Sequence, residues 1–545
     1  MSRLVVMSTI VLLGLGAARA DVSLLPVPAA VTAVSVPQPS FAFPTFPWDT
    51  NALADSLDQS GPPDGALTIA RAAGPDSSII ILAYNFLYNG WWCRVSRSTD
   101  GGQTYTPVSL DSGFYVDDVL SSNRRDTVYL ITIISRGGYH LFLQRSTDAG
   151  ATWGDTIRVD RGTSTFTDKP MIASQDSFIY CTYTDFSGGT NYIRVCRSSD
   201  YGNTWNTGDV NVSTSGGQGS CPAVSRDSMV YVTWGQPASW VPRQLWFNRS
   251  TDYGLTWGTP RQIDDIDTAP HMYRWRANHS FPAMAVDSTG KLYITVQNRL
   301  HGAGYDIAVY TSTNQGDSWA GPFMVNDDTV LDSDQYCSWI TLDLYGRPHV
   351  FWYDNRDYYP DSVGDMYYSW SEDGGVTWQP NERVNDASPC WSYRSKSLMG
   401  DYQQIACDTN FVYCEWSDHR NGRHSWSYIA AARRPLPAWV GVSEKPKASP
   451  WQRSKTLLGP NVPNPVVSGT RISFELARTQ RADLQVFDLA GKLVRTVLGG
   501  DLAAGNHSVA WDTRDNDGRL VPAGIYCYRL ASAGTTATRN LVVTR

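Results

Sequence analysis

The sequence has little charge, no basic tract and almost no long apolar run. Asp, Glu, Lys and Arg together make up 18% of its 545 residues, and the net charge is −7. With no cluster of Lys or Arg, the composition argues against nucleic acid or an anionic membrane as the main partner. Helical periodicity is absent throughout, so amphipathic helices are not expected. No Cys or His spacing resembles a zinc site, and neither a metal nor a cofactor is expected. Past the N-terminus, no stretch approaches the roughly 20 apolar residues that span a bilayer.

The N-terminus carries the one apolar run, Leu4 to Leu15, behind the positive Arg3. Ala18-Arg19-Ala20 then fits a small-x-small cleavage rule. Residues 1–20 therefore read as a signal peptide, and the mature chain as exported, either secreted or held at the cell surface. Nine cysteines in such a chain permit disulfides, and the odd count leaves at least one thiol unpaired. Position suggests three pairs: Cys181 with Cys196, Cys407 with Cys414, and Cys337 with Cys390. Each could equally be two buried thiols.

What the chain has in quantity is aromatics, 21 Trp and 29 Tyr, and several fall into a repeat. The pattern Ser-x-Asp-x-Gly-x-Thr-Trp starts at Ser98, Ser146, Ser198, Ser250, Ser312 and Ser371. Its acidic position is Asp100, Asp148, Asp200, Asp252 and Asp373, with Asn314 standing in at the fifth copy. Its aromatic is Tyr105, then Trp153, Trp205, Trp257, Trp319 and Trp378. Successive copies lie 48, 52, 52, 62 and 59 residues apart, which signals a repeat architecture. The Ser and Asp side chains can bond nearby backbone N–H groups, and the Gly supplies a positive φ. Each box is expected to be a hairpin turn anchored by a buried ring, with no part in chemistry.

Around each box the residues spell four short strands. Second strands are expected at residues 79–84, 128–133, 178–183, 230–234, 292–296, 349–352 and 412–416. That makes seven units of four strands, an all-β, seven-bladed propeller; six blades with one unit as a partial cover is the alternative. The seventh unit has no box, as expected if its outer strand comes from elsewhere in the chain. The expected divisions are a Pro-rich leader at 21–61, the propeller at 62–434, a Pro-rich linker at 435–458 and a small immunoglobulin-like β-sandwich at 459–545.

The boxes resemble the Asp-box, or bacterial neuraminidase repeat, of sialidase-type propellers. The tail resembles the FlgD-type immunoglobulin-like domain and the C-terminal sorting domain of type IX secretion cargo. The matching residues are Pro463-Asn464-Pro465, Val486-Phe487-Asp488-Leu489-Ala490-Gly491, Trp511-Asp512 and Pro522-Ala523-Gly524-Ile525-Tyr526. The tail resemblance implies contact with secretion machinery or the cell envelope. The sialidase resemblance implies three arginines on a substrate carboxylate, a Tyr nucleophile activated by Glu, and an acid/base Asp. The Arg-Ile-Pro element that carries the family's first clamp arginine is absent here.

Candidate residues therefore come from the ends of strands in the late units. Tyr393, Arg394, Asp401 and Glu415 are the catalytic candidates, in the order the family resemblance suggests. Arg274, Arg276 and Tyr402 open late units and are candidates to line a central mouth. Asp354 with Arg356, and Asp418 with Arg420, recur at the ends of two second strands, where i and i+2 share a face. They are read as ligand-binding residues or as pairs that fix a loop. Two functions follow: a non-catalytic binder of extracellular glycan or another polymer, and an exo-acting glycoside hydrolase of the sialidase type.

Overall fold

The computed structural model describes residues 48–437 and 457–544 apart from internal segments. Those segments are 54–64, 72–77, 88–90, 111–114, 239–241, 268–280, 360–362, 388–390, 393–401, 419–427 and some gaps of one or two residues. All regular structure among the described residues is β. The second strands run Ile79–Leu87, Val128–Ser135, Phe178–Asp185, Val230–Gln236, Leu292–Asn298, Pro348–Asp354 and Phe411–Asp418. They begin within one residue of the positions read from alternation and extend two or three residues further.

Six sheets are antiparallel meanders of four consecutive strands, the sixth carrying the extra short strand Trp391–Ser392. The seventh pairs Gln404–Cys407, Phe411–Asp418 and Tyr428–Pro435, and takes its outer strand from Ala52–Leu53. That strand comes from the stretch read as leader, and it ties the start of the described chain to the last sheet. The first strand of every sheet lies beside the first strand of the next, and Gln404–Cys407 of the seventh lies beside Gly65–Arg71 of the first. The sheets so close a ring around their innermost strands. Apolar faces of successive sheets meet between them, as where Ile81 and Val95 of the first pack with Leu130 and Phe142 of the second.

The boxes form the turns expected of them. In the third copy Ser198 Oγ donates to Asp200 Oδ1 and accepts from Gly202 N, while Thr204 N and Oγ1 both donate to Asp200. Tyr201 and Gly202 both have positive φ, 62° and 82°. A Cβ on Gly202 would also stand 2.7 Å from Leu143 of the preceding sheet, so glycine is needed twice over. The rings are less buried than expected: Trp205 is buried, but Trp153, Trp257, Trp319 and Trp378 are half-buried at the sheet seams. Each seam also carries a cationic clip. The left-handed residue of each box turns its carbonyl toward the preceding sheet, where Arg97, Arg145, Arg197 and Arg249 bond Ala149, Tyr201, Tyr253 and Gln315. Lys291 bonds Gly374, and Arg433 bonds Gly101.

The tail packs a sheet of three strands (Leu457–Val462, Thr470–Leu476, Gly505–Trp511) against one of four. The four are Leu493–Leu502, Gln480–Asp488, Gly524–Ser532 and Thr535–Val543. Their inner residues, among them Phe474, Val486, Trp511 and Tyr528, form one core. Arg539 donates to the Tyr253 hydroxyl at 2.7 Å, a contact between this sandwich and the fourth box. Cys181 and Cys196 do face each other across the third sheet, yet both are free thiols. Cys407 and Cys414 are also free and sit two residues out of register. Cys390 lies outside the described residues, and Cys337 is a free buried thiol.

Candidate functional site

Four of the seven innermost strands share a defect. Register breaks between Val116 and Val119, Asp168 and Met171, Gln218 and Cys221, and Tyr336 and Trp339. Inside each break one residue has positive φ: Asp117 (55°), Lys169 (55°), Gly219 (65°) and Cys337 (51°). Such bulges bend a strand and re-aim its side chains. Here the strands they bend are the ones that surround the axis. Below the bulges Val119, Met171, Tyr402, Phe281 and Trp339 come from five different sheets and meet in one apolar cluster.

On that floor stands a polar group made by three sheets. Lys169 Nζ is 3.3 Å from Asp117 Oδ2 and 3.9 Å from Asp168 Oδ1, and it lies over the Tyr402 ring, 5.4 Å from its centroid. The Tyr402 hydroxyl donates to Asp117 Oδ2 at 3.5 Å. Asp117, Lys169 and Tyr402 are buried, while the Asp168 side chain keeps 23% exposure. Burial pushes Asp168 up to about 8; Lys169 opposes this, and the charge and hydrogen-bonding reach of Asp117 add to it. Asp168 is thus the carboxyl of the group that reaches the edge of solvent. Asp118, next in sequence to Asp117, is fully buried, and burial pushes it up to about 7.

Of the residues expected to matter, Tyr402 is the one the described structure brings to this group. Glu415 is fully buried: its Oε1 accepts Gln404 N at 2.8 Å, and a Cβ on Gly65 would stand 2.1 Å from its Oε2. It fills the seam between the seventh and first sheets, without access to solvent. Asp354 and Asp418 are buried too, accepting Trp352 Nε1 at 2.9 Å and Trp416 Nε1 at 3.0 Å. Asp354 further takes both Arg356 Nε and Nη2, and Arg356 reaches on to Asp327. These residues hold the ends of second strands. Arg274, Arg276, Tyr393, Arg394, Asp401 and Arg420 lie outside the described residues.

Asp117, Asp168 and Lys169 were not singled out in the sequence, although a signal existed. Asp117-Asp118 and Asp168-Lys169 put charges at the opening of strands that are otherwise apolar, the position that marked Tyr402. The acidic side chains of the boxes sit at the ends of third strands and make only local bonds.

The tail matches a family model, the FlgD Ig-like domain, over residues 461–536. No curated protein matches the chain. Among solved structures, an α-L-arabinanase from Penicillium chrysogenum is 11% identical with a TM-score of 0.39, covering 70% of this chain and 98% of its own. A Streptococcus pneumoniae sialidase is 11% identical with a TM-score of 0.40, covering 62% and 71%. A protein of unknown function from Dyadobacter fermentans is 11% identical with a TM-score of 0.40, covering 71% and 98%. These superpositions are loose, and the fold rests on its own strand pairing. In its boxes, ring of sheets and tail, the chain is similar to sialidase-type Asp-box propellers and to FlgD-type immunoglobulin-like domains.

Proposed function

We propose that this chain is an exported, surface-associated, seven-bladed propeller that binds glycan or another extracellular polymer at its central mouth without cleaving it. The observation that carries this reading is the burial of Glu415, the carboxylate that would have to activate a tyrosine nucleophile and that instead accepts Gln404 N at 2.8 Å with no exposure to solvent. At the axis Asp117 and Asp168 share the Lys169 ammonium, 3.3 and 3.9 Å from it. The missing Arg-Ile-Pro element points the same way. In this reading Arg274, Arg276, Tyr393, Arg394, Asp401 and Tyr402 belong to the mouth. The seven-blade reading is supported by seven sheets whose first strands lie beside one another. The tail, from about residue 459, faces the secretion machinery or the cell envelope.

One observation favours the alternative, an exo-acting glycoside hydrolase of the sialidase type. Asp168 is a carboxyl at the solvent edge that burial raises, the direction a general acid needs. The two readings separate when the purified mature chain is given a fluorogenic sialoside beside a glycan array. Binding without release of fluorophore is the expected result. Turnover that is lost in Asp168→Asn would establish the hydrolase instead.

A further inference from the structure

We propose that an aromatic cradle between the second and third sheets binds an acidic polysaccharide chain and leads it to the axial mouth. The proposal deepens the glycan-binding reading above and rests on it. Tyr139 and Phe166 are 42% and 43% exposed, although buried aromatic surface is what normally stabilises a fold. Their ring centroids are 5.3 Å apart, and Phe186 follows 5.6 Å beyond Phe166. The planes tilt by 57° and 38°, so the three rings form a shallow fan.

The fan is held from beneath. Tyr139 N donates to Thr165 O at 3.1 Å, and Phe186 N donates to Phe166 O at 2.9 Å. Thr167 Oγ1 donates to Tyr139 O, and Ser187 Oγ accepts both Thr165 N and Phe166 N. Each ring therefore rises from backbone bonded to the backbone of the others. A surface fixed in this way loses little entropy when it is covered. Phe166 directly precedes the strand Thr167–Gln175, and it and Asp168 both keep exposure on either side of the fully buried Thr167, which joins the cradle to the axial group.

Charge selects the occupant. Arg136, in the turn just before Tyr139, is exposed and lies 5.3 Å from the Phe142 ring centroid. Arg161 is exposed at the outer end of the loop that carries Phe166. Three carboxylates of this region are held by donors: Asp160 by His140 and Arg158, Asp185 by Arg194, and Asp209 by the Tyr183 hydroxyl and the backbone N–H groups of Arg161 and Gly162. Exposed cations on the two loops that lead into Tyr139 and Phe166 fit a chain of pyranoses. Its apolar ring faces stack on the aromatics while its carboxylates or sulfates meet guanidinium groups.

The test is affinity electrophoresis of the full chain through gels containing polygalacturonate or, as the neutral control, dextran. Polygalacturonate is expected to retard the protein and dextran is not. Phe166→Ala and Tyr139→Ala should each weaken binding about tenfold, with melting temperature unchanged because the rings are already exposed. Phe166→Leu, which keeps bulk but not the aromatic face, should behave like Phe166→Ala and guards against a folding defect. Arg136→Gln should reduce the salt sensitivity of retardation. Retardation of both ring variants equal to wild type would overturn the cradle. Binding of dextran in place of polygalacturonate would overturn its acidic occupant and leave the glycan reading standing. No binding to either gel or to any glycan on an array would overturn both.

Discussion

Six sheets of the ring end their third strand in a box, and the seventh ends in Arg433-Arg434-Pro435 instead. In the boxed sheets the same eight residues do two jobs. The Ser and Asp side chains hold the turn, and the left-handed residue aims a carbonyl at the cation of the sheet before it. The seventh sheet has neither, and it recovers both from residues outside the repeat. Arg347 Nη2 finds Pro437 O at 2.9 Å where a box carbonyl would stand. Ala52–Leu53 supplies the outer strand, Asp49 pairs with Arg433 at 2.7 Å, and Trp48 is buried edge-on against Tyr368 at 5.2 Å. A ring of repeats can therefore omit its motif once, provided that the two ends of the ring meet at the omission.

The closing seam should be the easier one to break. Trp48→Ala removes a buried ring from the core that joins the sixth and seventh sheets, at an expected cost of about 3–5 kcal/mol. Urea unfolding followed by tryptophan fluorescence would measure it. A cost below that of a surface change would mean that the ring stays closed without its N-terminal strand. Arg347→Met comes next. The Asp343 carboxyl would be raised by burial, but His349 and Arg347 outweigh this and hold it low. Losing the arginine leaves that buried charge with the histidine, which should cost about 3 kcal/mol. Arg145→Met is the matching change at a boxed seam. It removes one bond to Tyr201 O from a half-exposed side chain and should cost about 1 kcal/mol. Equal effects at Arg347 and Arg145 would dissolve the contrast between closing and boxed seams.

The boxes were legible because their physics is local. A side-chain acceptor two residues from a hydroxyl and a Gly at positive φ specify a turn whatever surrounds it. The clips were half legible, since Arg97, Arg145, Arg197 and Arg249 each directly precede the Ser of a box. The fifth and sixth boxes have Thr311 and Trp370 at that place, and Lys291 and Arg347 take over from the adjoining second strands. No linear spacing announces that exchange. The axial group was least legible. Lys169, Asp117 and Tyr402 lie in three different sheets and meet only because the ring closes and bulges turn Asp117 and Lys169 toward one another. Glu415 reads in sequence like a functional carboxylate on a strand. That Gly65 would press against it can be known only once the first and seventh sheets are neighbours.

The smallest effect is expected within the boxes themselves, at the one copy that has no acid. Asn314 accepts Ser318 N at 3.0 Å and donates its Nδ2 to Ser318 Oγ, where the aspartates instead accept from Thr. Asn314→Asp requires only that the Ser318 hydroxyl turn and donate. At neutral pH the change should lie within about 0.5 kcal/mol. Acid should separate the two. Burial would raise the box aspartates, but bonds from Thr, Ser and backbone N–H outweigh it and hold Asp148 at about 2 and the others below their ordinary value. A carboxylate whose folded pKa is depressed contributes stability above its unfolded value near 3.9, and loses that contribution as pH falls through the folded value. Asn314 has no such contribution to lose. Melting temperatures of wild type and Asn314→Asp should therefore nearly coincide at about pH 7, and the variant should fall away faster below about pH 4. A difference that stays flat into acid would mean that the amide and the carboxylate hold the turn in the same way, and that the charge of the other five boxes does not stabilise them.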